Sequence, residues 1–453
     1  MAYRALVLLA FVGVAGCAGA GFNGAAFQGD VAAGNYDRAL ASLKAFPKDD
    51  VSALLDRALL LQARGDLAGS NASFEAAELR IADLYTRSLS REALSLLTGD
   101  LALEYRAAAH EHAYIAYFRS WNYLDENDRE GVLVEARRIG ERLDYLSASC
   151  PGEDGACGHD VFLRYWSGLL FEWGGEINDA YVAYKNADES GSGAGTRPAG
   201  EVPADLGARL VASARRLGFD DEVRGYASRY GLTGESAPAE DCGTVVLAWE
   251  NGIVGHREET GAVIPIFEGE TQKIRDDRDE WSRTLAGRRD MRHEKVKLDY
   301  LLRIALPVFV EAPPQAVDAS FGLGSVLVEP QVVAPLSAMA GDALDRAMGG
   351  IVVRAVARAL TKYLAKEAAE DEIGEGAGIL INLLGLAFES AETRSWRSLP
   401  HEIRLAVVPV RAGAVTGTLR MIGRGGEGLE DVRFENIPVA PGRIVFLRHR
   451  SAR

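Results

Sequence analysis

Periodicity divides this chain into an α+β architecture. A helical repeat solenoid is expected over residues 28–233, followed after a linker at 234–243 by a β-rich, sandwich-like half at 244–453. Three observations lead there. A glycine-headed pattern of small and large apolar residues recurs through the first half. After Gly243 it gives way to short β-branched runs bounded by turn residues, and a charged amphipathic stretch at 336–392 then interrupts those runs. Periods near 3.6 and 2 are the respective marks of helix and strand.

The clearest copy of the repeat is Tyr165–Glu189, where Gly175 is followed by Ile177, Ala180, Tyr184 and Ala187. This is the small–large–small pattern of a tetratricopeptide helix pair. Gly175 falls where the first helix stops, because a left-handed turn is cheapest at glycine. Ala180 falls where the second helix crosses closest to the first. Gly34 heads a copy with Tyr36, Ala39 and Leu43, and Gly65 one with Leu67, Ser70, Phe74 and Ala77. In a third copy Asn127 replaces the glycine ahead of Val132, Ala136 and Ile139, and a degenerate fifth, Gly218 with Val223, Ala227 and Tyr230, caps the array. One such hairpin cannot bury its apolar face alone, so the copies are expected to stack. Between the second and third copies, Tyr85–Tyr117 departs from the period and reads as a loop or irregular helix feeding an aromatic helix.

The β half opens with Thr244–Glu250 and a turn at Asn251-Gly252, a dipeptide that signals a hairpin. Ala262–Phe267 and Tyr300–Val310 read as further strands, with a mixed-charge surface segment between them at Gln272–Lys297. The insertion reads as two helices packed on the sheet, separated by Gly374–Gly378; the alternative is docking on a membrane or partner. Four strands follow Pro400, at Glu402–Val410, Thr416–Ile422, Leu429–Ile437 and Arg443–Arg448, which is an antiparallel sandwich signature.

The first 16 residues carry one charge, Arg4, and an apolar run from Ala5 to Val14 too short to span a bilayer. The run ends in Val14-Ala15-Gly16-Cys17, which resembles the bacterial lipobox. That resemblance implies cleavage before Cys17 and acylation of its thiol and new amino terminus, so residues 17–27 become a lipidated tether. With Ala18 rather than Asp after the cysteine, lipoprotein sorting rules imply the outer membrane, facing the periplasm. Multiple acyl chains anchor stably where one does not.

Net charge is −15, and loss of residues 1–16 removes only Arg4, leaving 49 basic against 65 acidic groups, or −16. An acidic surface without a basic stripe disfavours nucleic acid. Cys150 and Cys157 bracket a turn-rich PGEDGA loop and are expected to form a disulfide in an oxidising periplasm, two free thiols being the alternative. Cys242 is left without an evident partner and reads as a buried thiol. His110-Glu111-His112 lacks the spacing of a zinc protease, because the position four residues after His110 is Tyr114. The pair reads as surface or packing residues, and neither a cofactor nor a metal is expected.

WNYLDENDREGVLVEARRIGERLDYL, RYWSGLLFEWGGEINDAYVAYKNA, VVLAWENG and AETRSWRSLPHEIRLA resemble, in order, a family of bacterial tetratricopeptide-containing envelope lipoproteins. The resemblance covers most of the mature chain. It implies a lipid-anchored envelope protein without assigned activity, in a family whose genes tend to lie beside those of lipoproteins resembling penicillin-binding-protein activators.

A scaffold or adaptor is therefore expected, holding envelope proteins or peptides in the repeat groove. Tyr117, Trp121, Trp166 and Trp173 on the inner helices are candidate anchors, with solenoid core as the alternative. Trp396, in RSWRSLP, is a further candidate, against a role anchoring the turn into the sandwich. A structural subunit of an outer-membrane assembly is the second reading. A cell-wall hydrolase or transferase is the third, disfavoured because no acid–base pair, activated nucleophile or metal cluster matches a motif.

Overall fold

The computed structural model describes residues 22–86, 104–149, 158–192, 200–232, 241–267, 298–373 and 390–452. Cys17 with its lipobox, Cys150 and Cys157, Gln272–Lys297 and the second apolar segment of the insertion lie outside the described residues.

Ten helices form five hairpins, each joined by a tight turn: α1 (Gly24–Ala32) with α2 (Tyr36–Ser42), α3 (Val51–Ala63) with α4 (Leu67–Thr86), α5 (Ala109–Asp125) with α6 (Arg129–Ser149), α7 (Val161–Gly174) with α8 (Ile177–Ser192), and α9 (Leu206–Leu217) with α10 (Asp220–Arg229). The five turn positions read from sequence all have positive φ: Gly34 at 72°, Gly65 at 81°, Asn127 at 53°, Gly175 at 87° and Gly218 at 75°. Asparagine is among the few side chains that tolerate this region. Ser70, Phe74, Ala77, Val132, Ala136, Ile139, Ala180, Tyr184 and Ala187 are buried at their repeat positions. In the fifth hairpin Val223, Ala227 and Tyr230 are only partly buried, as a terminal unit requires. Helix α1 starts at Gly24, so the last residues of the expected tether are helical.

The strands are β1 (Cys242–Asn251), β2 (His256–Phe267), β3 (Leu298–Val310), β4 (Ala316–Leu323), β5 (Val326–Val328), β6 (Gln331–Ala334), β7 (Glu402–Arg411), β8 (Gly413–Gly423), β9 (Gly428–Val439) and β10 (Ile444–Ser451). They form a four-stranded sheet in the order β10-β1-β7-β6, a second in the order β5-β4-β8-β9, and a two-stranded ribbon, β2-β3. Strand β10 runs parallel to β1, and β7 antiparallel to it.

The first sheet is the middle layer of three. Val245, Leu247 and Trp249 on one face of β1 pack with Phe321, Leu323, Leu419 and Met421 of the second sheet. Val246 and Ala248 on the other face share a core with the helical hairpins. A strand covered on both sides is apolar at successive positions, which accounts for the unbroken VVLAW of β1. The helical and β-rich halves thus meet through one continuous buried cluster. Residues 200–204, which precede α9, also join β6: the Glu201 N–H donates to the Val332 carbonyl at 2.7 Å.

Two details differ from expectation. Asn251-Gly252 does not close a hairpin, because β1 pairs with β7 and β10 while β2 pairs with β3. The Asn251 amide is instead buried, donating to the Ala316 carbonyl and Glu402. Cys242 opens β1 half-exposed rather than buried. The insertion begins as a single helix, α11 (Leu336–Ile373), whose buried Leu336, Ala340 and Leu344 repeat every four residues. It packs on β3 of the ribbon, where Gly341 lies against Phe309.

Candidate interaction groove

In a helical solenoid the inner face is the natural place for an extended ligand, and here the chain's own C-terminal half fills it. Two segments do so.

The first is β10. Phe446 stands against Trp121 and Trp166, with ring centroids 6.0 and 5.1 Å away, and Tyr117 lies 5.2 Å from Trp166. Arg448 sits over the Trp121 ring and pairs with the fully buried Glu250 of β1 at 2.8 Å. Its other nitrogen donates to the side chain of Gln62, which itself donates to the Phe118 carbonyl and to Asn122. A buried guanidinium is tolerable only when its donors find partners, and this network supplies them.

The second is 392–400, which runs without helix or strand pairing past the first three hairpins. The array reads its backbone through two buried carboxylates. Glu111 accepts the Trp396 N–H at 2.7 Å, and Asp56 accepts the Ser398 N–H at 2.8 Å. The same Asp56 pairs with Arg397 at 3.2 Å, and Asp50 pairs with Arg394 at 3.1 Å. Gln28 of α1 donates to the Arg397 carbonyl. The Trp396 ring meets Phe74 and Phe118 edge-on, while the Arg397 guanidinium lies over Phe22 and Phe46. Burial pushes the Asp56 carboxyl up to about 6, against the pull of Arg397 and the Ser398 N–H.

Local sequence explains how the helices present these groups. Asp50 caps α3, accepting the Ala53 N–H at 3.0 Å with one oxygen and leaving the other for Arg394. Glu111 sits three residues after the Ala108 N-cap of α5, accepts that residue's N–H and the Tyr105 hydroxyl, and keeps its second oxygen for Trp396. Asp56 lies within VSALLDRALLLQA, a helix buried on nearly every side.

Of the five aromatic candidates, Tyr117, Trp121, Trp166 and Trp396 are at most 2 % exposed, and Trp173 is partly buried. The structure brings Tyr117, Trp121 and Trp166 together under β10 and packs Trp396, within the 392–400 segment, against Phe74 and Phe118. All four contact residues of this chain. Asp50, Asp56, Gln62, Glu250 and Arg448 were not singled out from sequence, and Glu111 was weighed only within the His110-Glu111-His112 motif. A lone acid inside an apolar helix, as at Asp56, was the one available signal.

His110 and His112 are both packed inward. Burial lowers His110, and burial beside Arg142 lowers His112 to about 3. Among the described residues no group of three or more His, Cys, Asp and Glu is arranged to hold a metal ion, and no helix is long and apolar enough to cross a membrane.

No protein-family model matches the chain, and no curated protein does. Among solved structures, MamA from AMB-1 is 14 % identical with a TM-score of 0.27, covering 47 % of this chain and 91 % of its own. MamA 41-end from Desulfovibrio magneticus RS-1 gives the same identity and score, at 46 % and 92 % coverage. Superposition at that level carries no functional argument.

Proposed function

We propose that this protein is a lipid-anchored scaffold or adaptor, held at the periplasmic face of the outer membrane through Cys17, that binds protein partners in envelope biogenesis or maintenance. The observation that carries the binding role is the inner face of the helical hairpins. It holds a segment that belongs to no helix or strand by charge, backbone hydrogen bonds and aromatic packing, which is the chemistry of peptide recognition. Asp50, Asp56 and Glu111 of this face are occupied in holding chain, which favours a binding role over an enzymatic one. The anchor rests on Arg4, the apolar run and the Val14–Cys17 motif.

In-cell crosslinking of the lipidated protein, followed by identification of what it captures, tests the binding role. Reproducible recovery of envelope proteins is expected; recovery of this chain alone contradicts it. Cys17→Ser tests the anchor: the variant should accumulate as unprocessed precursor. Normal maturation with continued outer-membrane fractionation would remove the lipoprotein reading.

A further inference from the structure

The groove over the first three hairpins is built to take a segment of defined chemistry, and 392–400 is one such segment. Its two backbone contacts, at Trp396 and Ser398, lie where the chain turns at Arg397-Ser398. Carboxylates on two different helices, α5 and α3, make them. Backbone contacts of this kind are indifferent to side chain. Selectivity comes from the rest: acids facing Arg394 and Arg397, and an aromatic pocket of Phe74 and Phe118 for Trp396. Glu111 and Asp56 are 2 % and 0 % exposed. Buried carboxylates stabilise a fold poorly compared with apolar residues of similar volume, so their presence favours recognition of a cation-bearing chain over plain packing. The Ser395 hydroxyl and the Trp396 indole N–H are buried without a protein partner, so the resident segment leaves part of its own polar capacity unused.

We propose that this groove binds a partner's segment carrying the pattern Arg-x-Trp-Arg and taking the same turn, in exchange for Arg394–Arg397 of the chain itself. This rests on the scaffold reading and names the class of its partner: a basic, tryptophan-containing peptide, matched in charge to Asp50 and Asp56. Exchange requires that 391–400 leave the groove while the surrounding helices and sheets stay folded. The segment belongs to no helix or sheet ladder, and its release breaks a backbone hydrogen bond from the Val254 N–H to the Leu399 carbonyl but none within a helix or sheet.

The test uses the full soluble chain and a labelled synthetic peptide copying residues 391–400, with a scrambled peptide as control. Arg394→Ala with Arg397→Ala loosens the resident segment. This double variant, verified as folded, should bind the peptide at least tenfold more tightly than the unmodified chain does, and adding Asp56→Asn should abolish the gain. No binding by the folded double variant overturns the proposal. A second measurement needs no variant. In native hydrogen exchange of the unmodified chain, the Trp396 and Ser398 amides should exchange at least tenfold faster than the paired amides of β7. Exchange no faster than β7 would make the segment ordinary core and overturn the proposal even if the variant did not fold. Capture of envelope partners in cells without peptide binding would leave the scaffold standing on another surface; failure of both would remove both.

Discussion

Glu135 lies fully buried in α6 between Arg119 and Arg138, 3.4 and 3.2 Å away, and its second oxygen has no partner. Burial outweighs the two guanidinium groups and raises its carboxyl to about 7. A folded pKa above the unfolded one means that the group's contribution to stability is complete below the unfolded value and is lost as pH rises through the folded one. Between pH 5 and pH 8 that loss is on the order of 3 kcal/mol. Glu135→Gln cannot ionise, so its stability should decline less over that range, as chemical denaturation at a series of pH values would reveal; identical slopes would contradict the assignment. At Gly175 the strain is conformational only: φ is 87° and an added Cβ would meet nothing within 4 Å. Gly175→Asn should therefore cost well under the ~1–2 kcal/mol of an ordinary residue in left-handed geometry, and Gly175→Val more than that, in melting experiments. Asn127 already occupies the same turn position in the third hairpin. These positions were legible in the sequence because a left-handed turn restricts residue type. The groove carboxylates were not, because an acid on a helix reads as surface until the face it occupies is known to be covered.

At the scale of elements, the helices and the strands after Pro400 followed the sequence closely, while β4 to β6 and the strand partners were not legible in it. The four runs after Pro400 became β7 to β10 with shifts of a few residues at their ends. Pairing depends on contacts between residues far apart, and the parallel match of β1 with β10 joins residues about 200 positions apart. No local pattern encodes that. The Asn251-Gly252 signal was real as a turn, with Gly252 at φ 66°, yet the chain leaves it for another sheet. The consequence of the pairing is that β10 carries Phe446 onto Trp121 and Trp166. Phe446 is partly buried, so Phe446→Ala should cost less than the ~3–5 kcal/mol of a fully buried aromatic, roughly 1–3 kcal/mol. Thermal melts followed by helical circular dichroism should register the loss, although the mutation lies in a strand. A change confined to signals from the β-rich half would contradict the packing described here.

For the whole molecule, the linker at 234–243 marks where secondary structure changes, and the buried cluster runs across it. Val246, Ala248, Ile403, Leu405 and Ile444 of the middle sheet belong to the same core as Trp121, Trp166 and Leu170 of the helices. Residues 392–400 add ion pairs with Asp50 and Asp56 across the same boundary, and Arg448 of β10 donates to Gln62 across it. Each half would expose this surface if it opened alone, so the two should unfold together. A division into separately stable halves was the natural expectation from sequence, where the repeat ends and the strands begin. What periodicity could not convey is that VVLAW is buried on both faces and needs the helices as its second cover. Pulsed hydrogen exchange across a urea series, read peptide by peptide, tests this most directly. Peptides from α3 and α7 and peptides from β1 and β7 should lose protection at one common midpoint. Persistent protection of β1 and β7 after the helices have opened would contradict the single shared core on which the account rests.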